Sequence, residues 1–110
     1  MSNRYIIFVI DEPNNLATAE EILSIDTFNE KLEATGSWIT AGGIHSEGKI
    51  FLVDNRENVG HIVSESLFQG NENYTGFWII ESESDEHALE LAKEASRACN
   101  RRVELRPYLR

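Results

Sequence analysis

Two stretches of this chain are apolar at every position: Tyr5–Ile10 (YIIFVI) and Phe77–Ile80 (FWII). A β-strand throws successive side chains to opposite faces, so a strand of this kind carries apolar groups front and back and needs cover on both sides. Such strands belong in the middle of a sheet, and the remainder of a 110-residue chain has to be arranged around them.

The second stretch opens the segment GFWIIESESDEHALELAKEA, Gly76–Ala95. The apolar run stops at Glu81, Ser82 or Ser84 can cap a helix, and Asp85 and Glu86 fall in its first turn, where the helix dipole favours negative charge. Ala88, Leu91, Ala92, Ala95 and Cys99 follow the 3.6-residue period, with Leu89 widening the stripe and Glu90, Lys93, Glu94 and Arg97 opposite. The helix is expected to reach about Cys99. The first stretch ends similarly, in the turn-forming Asp11, Pro13, Asn14 and Asn15. Thr18 with Glu21 three residues on makes a capping box, and Ile22, Ile25, Phe28 and Leu32, flanked by Leu23, predict one apolar face. Gly36 stands where a left-handed C-cap belongs, so this helix spans about Thr18 to Thr35.

Trp38–Ile44 reads as a strand weakened by Gly42 and Gly43, a pair that signals a bulge or a close approach of backbone. Lys49–Val53 and Val59–Val63 predict a hairpin about the polar loop Asp54–Asn58, and Ser64–Asn73 reads as loop. Val103–Arg106 alternates apolar and charged residues, as a half-exposed edge strand does, and Pro107 stops it. The whole is a single α+β domain, residues 1–110. Without the inserted β-hairpin the order is βαββαβ, the ferredoxin-like plan. That plan puts its first and third core strands in the centre, and these are the two strands apolar on both faces. Two helices cover only one face of such a sheet. The other face would be a large exposed apolar patch unless the hairpin or a second copy of the chain covers it. A homodimer packed through sheet faces is the preferred solution.

The formal net charge of −9 argues against a nucleic-acid backbone or an anionic membrane as partner. Arg97, Arg101, Arg102, Arg106 and Arg110 cluster late; such a cluster can bind an anion, but the preferred reading is that they pair with the surplus acids. No apolar run approaches the roughly 18 residues of a membrane span. The opening MSNRYIIFVIDEP has no cleavage signal, so it reads as a strand rather than a signal peptide, with the cytoplasm the expected compartment. The lone Cys99 lies on a helix's apolar stripe and reads as an inert core thiol. No cofactor is implied: phosphate-loop, nucleophile-elbow and Rossmann patterns are missing, and so is metal-ligand spacing.

Four residues are candidates for acid–base catalysis. His45 follows the double glycine at a strand end, where an imidazole can sit at a cleft mouth. His61 lies mid-hairpin on the face of Val59 and Val63. Glu81 ends a central strand, and Glu65 lies in the loop after the hairpin; either can pair with His45 or His61. The plainer readings are a loop histidine, a half-buried cross-strand histidine and two solvated acids. His87, in the first turn of the second helix, reads as solvent-facing or capping. Among the aromatics, Trp38 and Tyr74, near strand starts, are the candidates for walling a ligand pocket, while Phe77 and Trp78 read as packing.

The layout resembles the YCII-related family, in its branch named for a DGPF motif. The resemblance rests on the apolar first strand, FNEKLEATGSWITAGGI (Phe28–Ile44), TGFWIIESESDEHALELAKEA (Thr75–Ala95) and VELRPY (Val103–Tyr108). It implies a ferredoxin-like dimer with a cleft between sheet and loops, and in some relatives small-molecule chemistry by a His–Asp pair. Ser64-Glu65-Ser66-Leu67 stands where the DGPF turn would fall. Ile25 and Asp26 stand at the family histidine, and Asn100 near its aspartate, so no catalytic residue carries over by matching. The function expected is therefore a small dimeric protein binding a small organic ligand in a cleft beside the sheet. A cofactor-independent lyase or isomerase using a His–carboxylate pair is the first alternative, and a structural or interaction module is the second.

Overall fold

The computed structural model describes residues 3–110; Met1 and Ser2 lie outside the described residues. Six strands and two helices follow in the order β1 (Asn3–Asp11), α1 (Ala19–Ala34), β2 (Trp38–Gly43), β3 (Leu52–Asp54), β4 (His61–Val63), β5 (Asn73–Ser82), α2 (Asp85–Cys99) and β6 (Arg102–Pro107). Four strands form one antiparallel sheet in the order β2-β5-β1-β6, while β3 and β4 form a separate hairpin. The strands apolar on both faces, β1 and β5, are the two in the middle. β2 and β6 lie at the edges.

Both helices pack on one face of the sheet. There Tyr5, Ile7 and Val9 of β1 and Trp78 and Ile80 of β5 meet Phe28 and Leu32 of α1 and the Ala88, Leu91, Ala92, Ala95 and Cys99 stripe of α2. The Phe28 ring stands edge-on to Trp78, with centroids 5.4 Å apart. Thr18 and Glu21 form the expected capping box. Gly36 just beyond α1 takes the left-handed conformation, φ +79°. Ser84, not Ser82, caps α2, its side chain accepting from the His87 backbone N–H.

Three expectations are revised. The hairpin strands are shorter than Lys49–Val53 and Val59–Val63: β3 begins only at Leu52 and runs to Asp54, and β4 begins at His61, with three pairs between them and a 3-10 turn at Arg56–Asn58 in the loop. β5 continues to Ser82, so Glu81 lies within a strand rather than at its end. Ile22 and Leu23, placed on the buried stripe of α1 by periodicity, are 49% and 67% exposed. The first turn of α1 is held instead by Arg101. Its Nη1 donates to Glu21 Oε1 and the Cys99 carbonyl, its Nε to Asp11 Oδ2 (2.5 Å) and its Nη2 to the Asn15 carbonyl. A charged tie thus replaces apolar contact there, and the start of α1 stands off the sheet.

The second face of the sheet has an apolar centre, with Ile6, Phe8 and Ile10 of β1 beside Phe77 and Ile79 of β5. Arg102, Glu104 and Arg106 of β6 line one border of it. The hairpin does not cover this face. It packs against neither helix and stays out of the main sheet, with Val53, Ile62 and Val63 exposed. The radius of gyration, 15.7 Å, exceeds the roughly 13 Å of a compact chain this long, as a projecting arm requires.

Candidate functional site

Where the start of α1 stands off, a cleft of about 480 Å³ opens on the helix-bearing side of the sheet. That lies within the roughly 300–1,000 Å³ of small-molecule sites. The sheet side of the cleft contains Val9, Gly43, Gly76 and Trp78; Ile25 and Asn29 of α1, Trp38 of β2 and the loop after β1 complete it.

Two local irregularities make this space. Gly43 and Gly76 face each other across β2 and β5, so no side chain stands on the floor at that point. A β-bulge between Trp38 and Thr40 brings Trp38 into line with Ala41 and Gly43, where strict alternation would have turned it away. The bulge falls at the start of β2 rather than at the double glycine. The glycines serve close approach: a Cβ on Gly76 would lie 3.1 Å from the Gly42 carbonyl oxygen, and one on Gly42 would touch the Phe77 ring at 3.4 Å.

The charged groups of the cleft are Asp11, Glu12 and Arg101. Burial pushes the Asp11 carboxyl up, but the Arg101, Asn15 and Glu12 hydrogen bonds together hold it below the usual carboxylate range. The Thr18 backbone N–H first, and Arg101 second, lower Glu21. Asp11 raises the Arg101 guanidinium pKa further. Cys99 also lines the cleft, and burial pushes its thiol up, away from the nucleophilic thiolate.

Asn29 is the polar residue that sequence reasoning missed. Its Oδ1 accepts the Trp78 indole N–H at 2.7 Å. The signal was its position one residue after Phe28 on the α1 face, which marks burial but not a cleft.

The residues singled out from sequence do not come together. Trp38 lines the cleft. Tyr74 lies on the opposite face of the sheet, its ring stacked on Phe8 with centroids 4.1 Å apart, and its hydroxyl donates to Glu104 at 2.9 Å. A register shift between Val9 and Ile10 leaves Thr75 as an extra residue in β5 and reverses the side on which Tyr74 emerges. Glu65 is exposed and lines a smaller pocket of about 260 Å³ at the base of the hairpin. Glu81 is paired with Arg4 at 3.4 Å. His45 and His61 are both exposed, and among the described residues neither bonds a carboxylate. His87 lies in the first turn of α2, where its backbone N–H donates to the Ser84 cap, and its Nδ1 lies 2.7 Å from Ser82 Oγ. That hydroxyl donates to the Ser84 carbonyl, so Nδ1 carries the proton of the pair.

Three of the five late arginines are paired with acids: Arg101 with Asp11 and Glu21, Arg102 with Glu72, and Arg106 with Glu104. Among the described residues no helix is long and apolar enough to cross a membrane. Among the described residues no group of three or more His, Cys, Asp or Glu is placed to hold a metal ion. No protein-family model matches the chain, and no curated protein matches it either.

Proposed function

We propose that this protein binds a small organic molecule in the cleft between α1, β2 and β5, and that it works as a homodimer. The observation that carries the ligand reading is the bare floor at Gly43 and Gly76 between the two indoles of Trp38 and Trp78. Apolar walls with a few polar groups are the usual make-up of such sites. The antiparallel order β2-β5-β1-β6, with both helices on one face, supports the ferredoxin-like plan and with it kinship to the YCII-related family. A cytoplasmic setting belongs to the same reading, supported by the single unpaired thiol of Cys99.

Dimerisation is supported by apolar surface that one chain leaves open. The sheet face around Ile6, Phe8, Phe77 and Ile79 is backed by no second layer, and the hairpin shows apolar residues on both of its faces. Val53 and Ile62 lie opposite each other on one face, Leu52 and Val63 on the other. A second copy offers matching apolar area to both. The enzyme reading has less support, since its histidines and carboxylates stand apart within one chain.

The test is protein-observed NMR on the full chain with indole as probe. The Trp38 and Trp78 indole N–H signals should shift saturably in the wild type and stay still in Gly43→Val, where the new side chain fills the floor. Absence of a saturable shift in the wild type sinks the ligand reading.

A further inference from the structure

The indole N–H of Trp78 can only donate, so the atom of Asn29 that meets it has to be the carbonyl oxygen. This fixes the orientation of the side-chain amide. The Nδ2 group, with its two N–H donors, is turned to the other side. It makes no hydrogen bond among the described residues. Yet no side-chain nitrogen or oxygen among them is both buried and unpartnered. Asn29 Nδ2 is therefore accessible and unbonded, on a side chain that lines the cleft. The Trp38 indole N–H is in the same position: half-buried on the cleft wall, without a partner among the described residues.

Charge narrows the occupant further. Among the described residues Arg101 is the one cation of the cleft, and four of its five N–H donors are committed to Asp11, Glu21 and the Cys99 and Asn15 carbonyls. Its charge is answered by the two carboxylates it binds, and Glu12 adds a further negative charge to the lining. An anion entering here meets net negative charge and, among the described residues, no free cation. A neutral acceptor meets two free donors held between flat apolar walls.

We propose that the cleft takes a neutral, flat organic molecule bearing a carbonyl-type hydrogen-bond acceptor, and that Asn29 Nδ2 is the group that binds this acceptor. The inference rests on the ligand reading above and goes beyond it by naming the ligand's chemistry. It makes Asn29 a specificity-determining residue, with Trp78 as the positioning residue that keeps its amide from turning over. Loss of one such hydrogen bond costs about 0.5–1.5 kcal/mol, a factor of roughly two to ten in affinity.

Four probes of one skeleton separate the possibilities: acetophenone, ethylbenzene, benzoate and 1-phenylethylamine, each titrated into the ¹⁵N-labelled full chain. Acetophenone should shift the Asn29 side-chain amide signals, while ethylbenzene should shift the indole signals and leave that amide in place. Benzoate meets the net negative charge, and the amine brings donors to a place that offers Asn29 and Trp38 donors, so both should bind more weakly than acetophenone. Asn29→Asp keeps an oxygen for Trp78 and removes the donor. In this variant acetophenone affinity should fall about fivefold while ethylbenzene affinity changes less than about twofold. Equal loss for both probes, tighter binding of benzoate or the amine, or an unmoved Asn29 amide overturns the acceptor proposal and leaves the cleft reading standing. Failure of all four probes to give a saturable shift overturns both.

Discussion

Arg101 fixes the first turn of α1 at a place where apolar packing is missing. Its side chain is 9% exposed, and it joins the end of β1, the following loop, the start of α1 and the end of α2. Removing one member of a nearly buried ion pair leaves the other unpaired, which is far costlier than losing a surface pair. Arg101→Met should therefore destabilise the protein by at least about 2 kcal/mol in urea unfolding, with the Asp11 bond the largest part. Arg56→Met, whose pair with Asp54 is exposed, should change little. The same site sets the acid limb. Asp11 and Glu21 both have lowered folded-state pKa values. Their stabilisation is thus complete above their unfolded values of about 3.9 and 4.3, and is lost as pH falls through the lower folded values. Melting temperature should hold level from neutral pH to about pH 5 and drop below about pH 4. The drop should be shallower in Arg101→Met; an identical acid slope in the two proteins would contradict this account.

At the scale of the element, the cleft depends on how β2 and β5 are paired. Gly43 and Gly76 face each other, yet they differ in what a side chain would meet. A Cβ on Gly43 has ordinary contact, 3.9 Å from the Thr75 carbonyl oxygen, whereas one on Gly76 comes within 3.1 Å of the Gly42 carbonyl oxygen. Backbone cannot give way as a flexible side chain can. Gly43→Val should melt within a few degrees of the wild type, since valine also suits a strand. Gly76→Val should lose roughly 1–3 kcal/mol, the usual cost of overpacking. Differential scanning calorimetry of the two variants decides it, and equal melting temperatures would refute the assigned pairing.

The whole molecule is a slab measuring 45 × 36 × 18 Å, thin because one layer of helices covers one layer of sheet. Its uncovered side is apolar in the middle and ringed in part by charge, with Arg106 lying 5.9 Å over the Phe8 ring. Packing this side against a second copy removes it from water at about 25 cal/mol per Å² of apolar area. Light scattering behind size exclusion should therefore give twice the 12.5 kDa chain mass. Ile79→Glu, which places a charge in the centre of that face, should give a folded monomer. A wild-type monomer at micromolar concentration would overturn the dimer.

Reading the residues in order was enough to place the two helices, the central position of β1 and β5, the edge position of β6, and the Thr18–Glu21 box. All of these follow from periods of 2 and 3.6 residues and from caps, which are written within a few positions of where they act. Folding alone decided which way Tyr74 and Trp38 point, because one extra residue at a bulge reverses every side chain beyond it, and pairing partners distant in sequence determine where the bulge falls. The same holds for the exposure of Ile22, since the ion pairs that displace it join residues 80 and 90 positions apart. The cleft, and the open amide of Asn29 within it, exist only because those non-local pairings leave Gly43 facing Gly76 and the start of α1 lifted away.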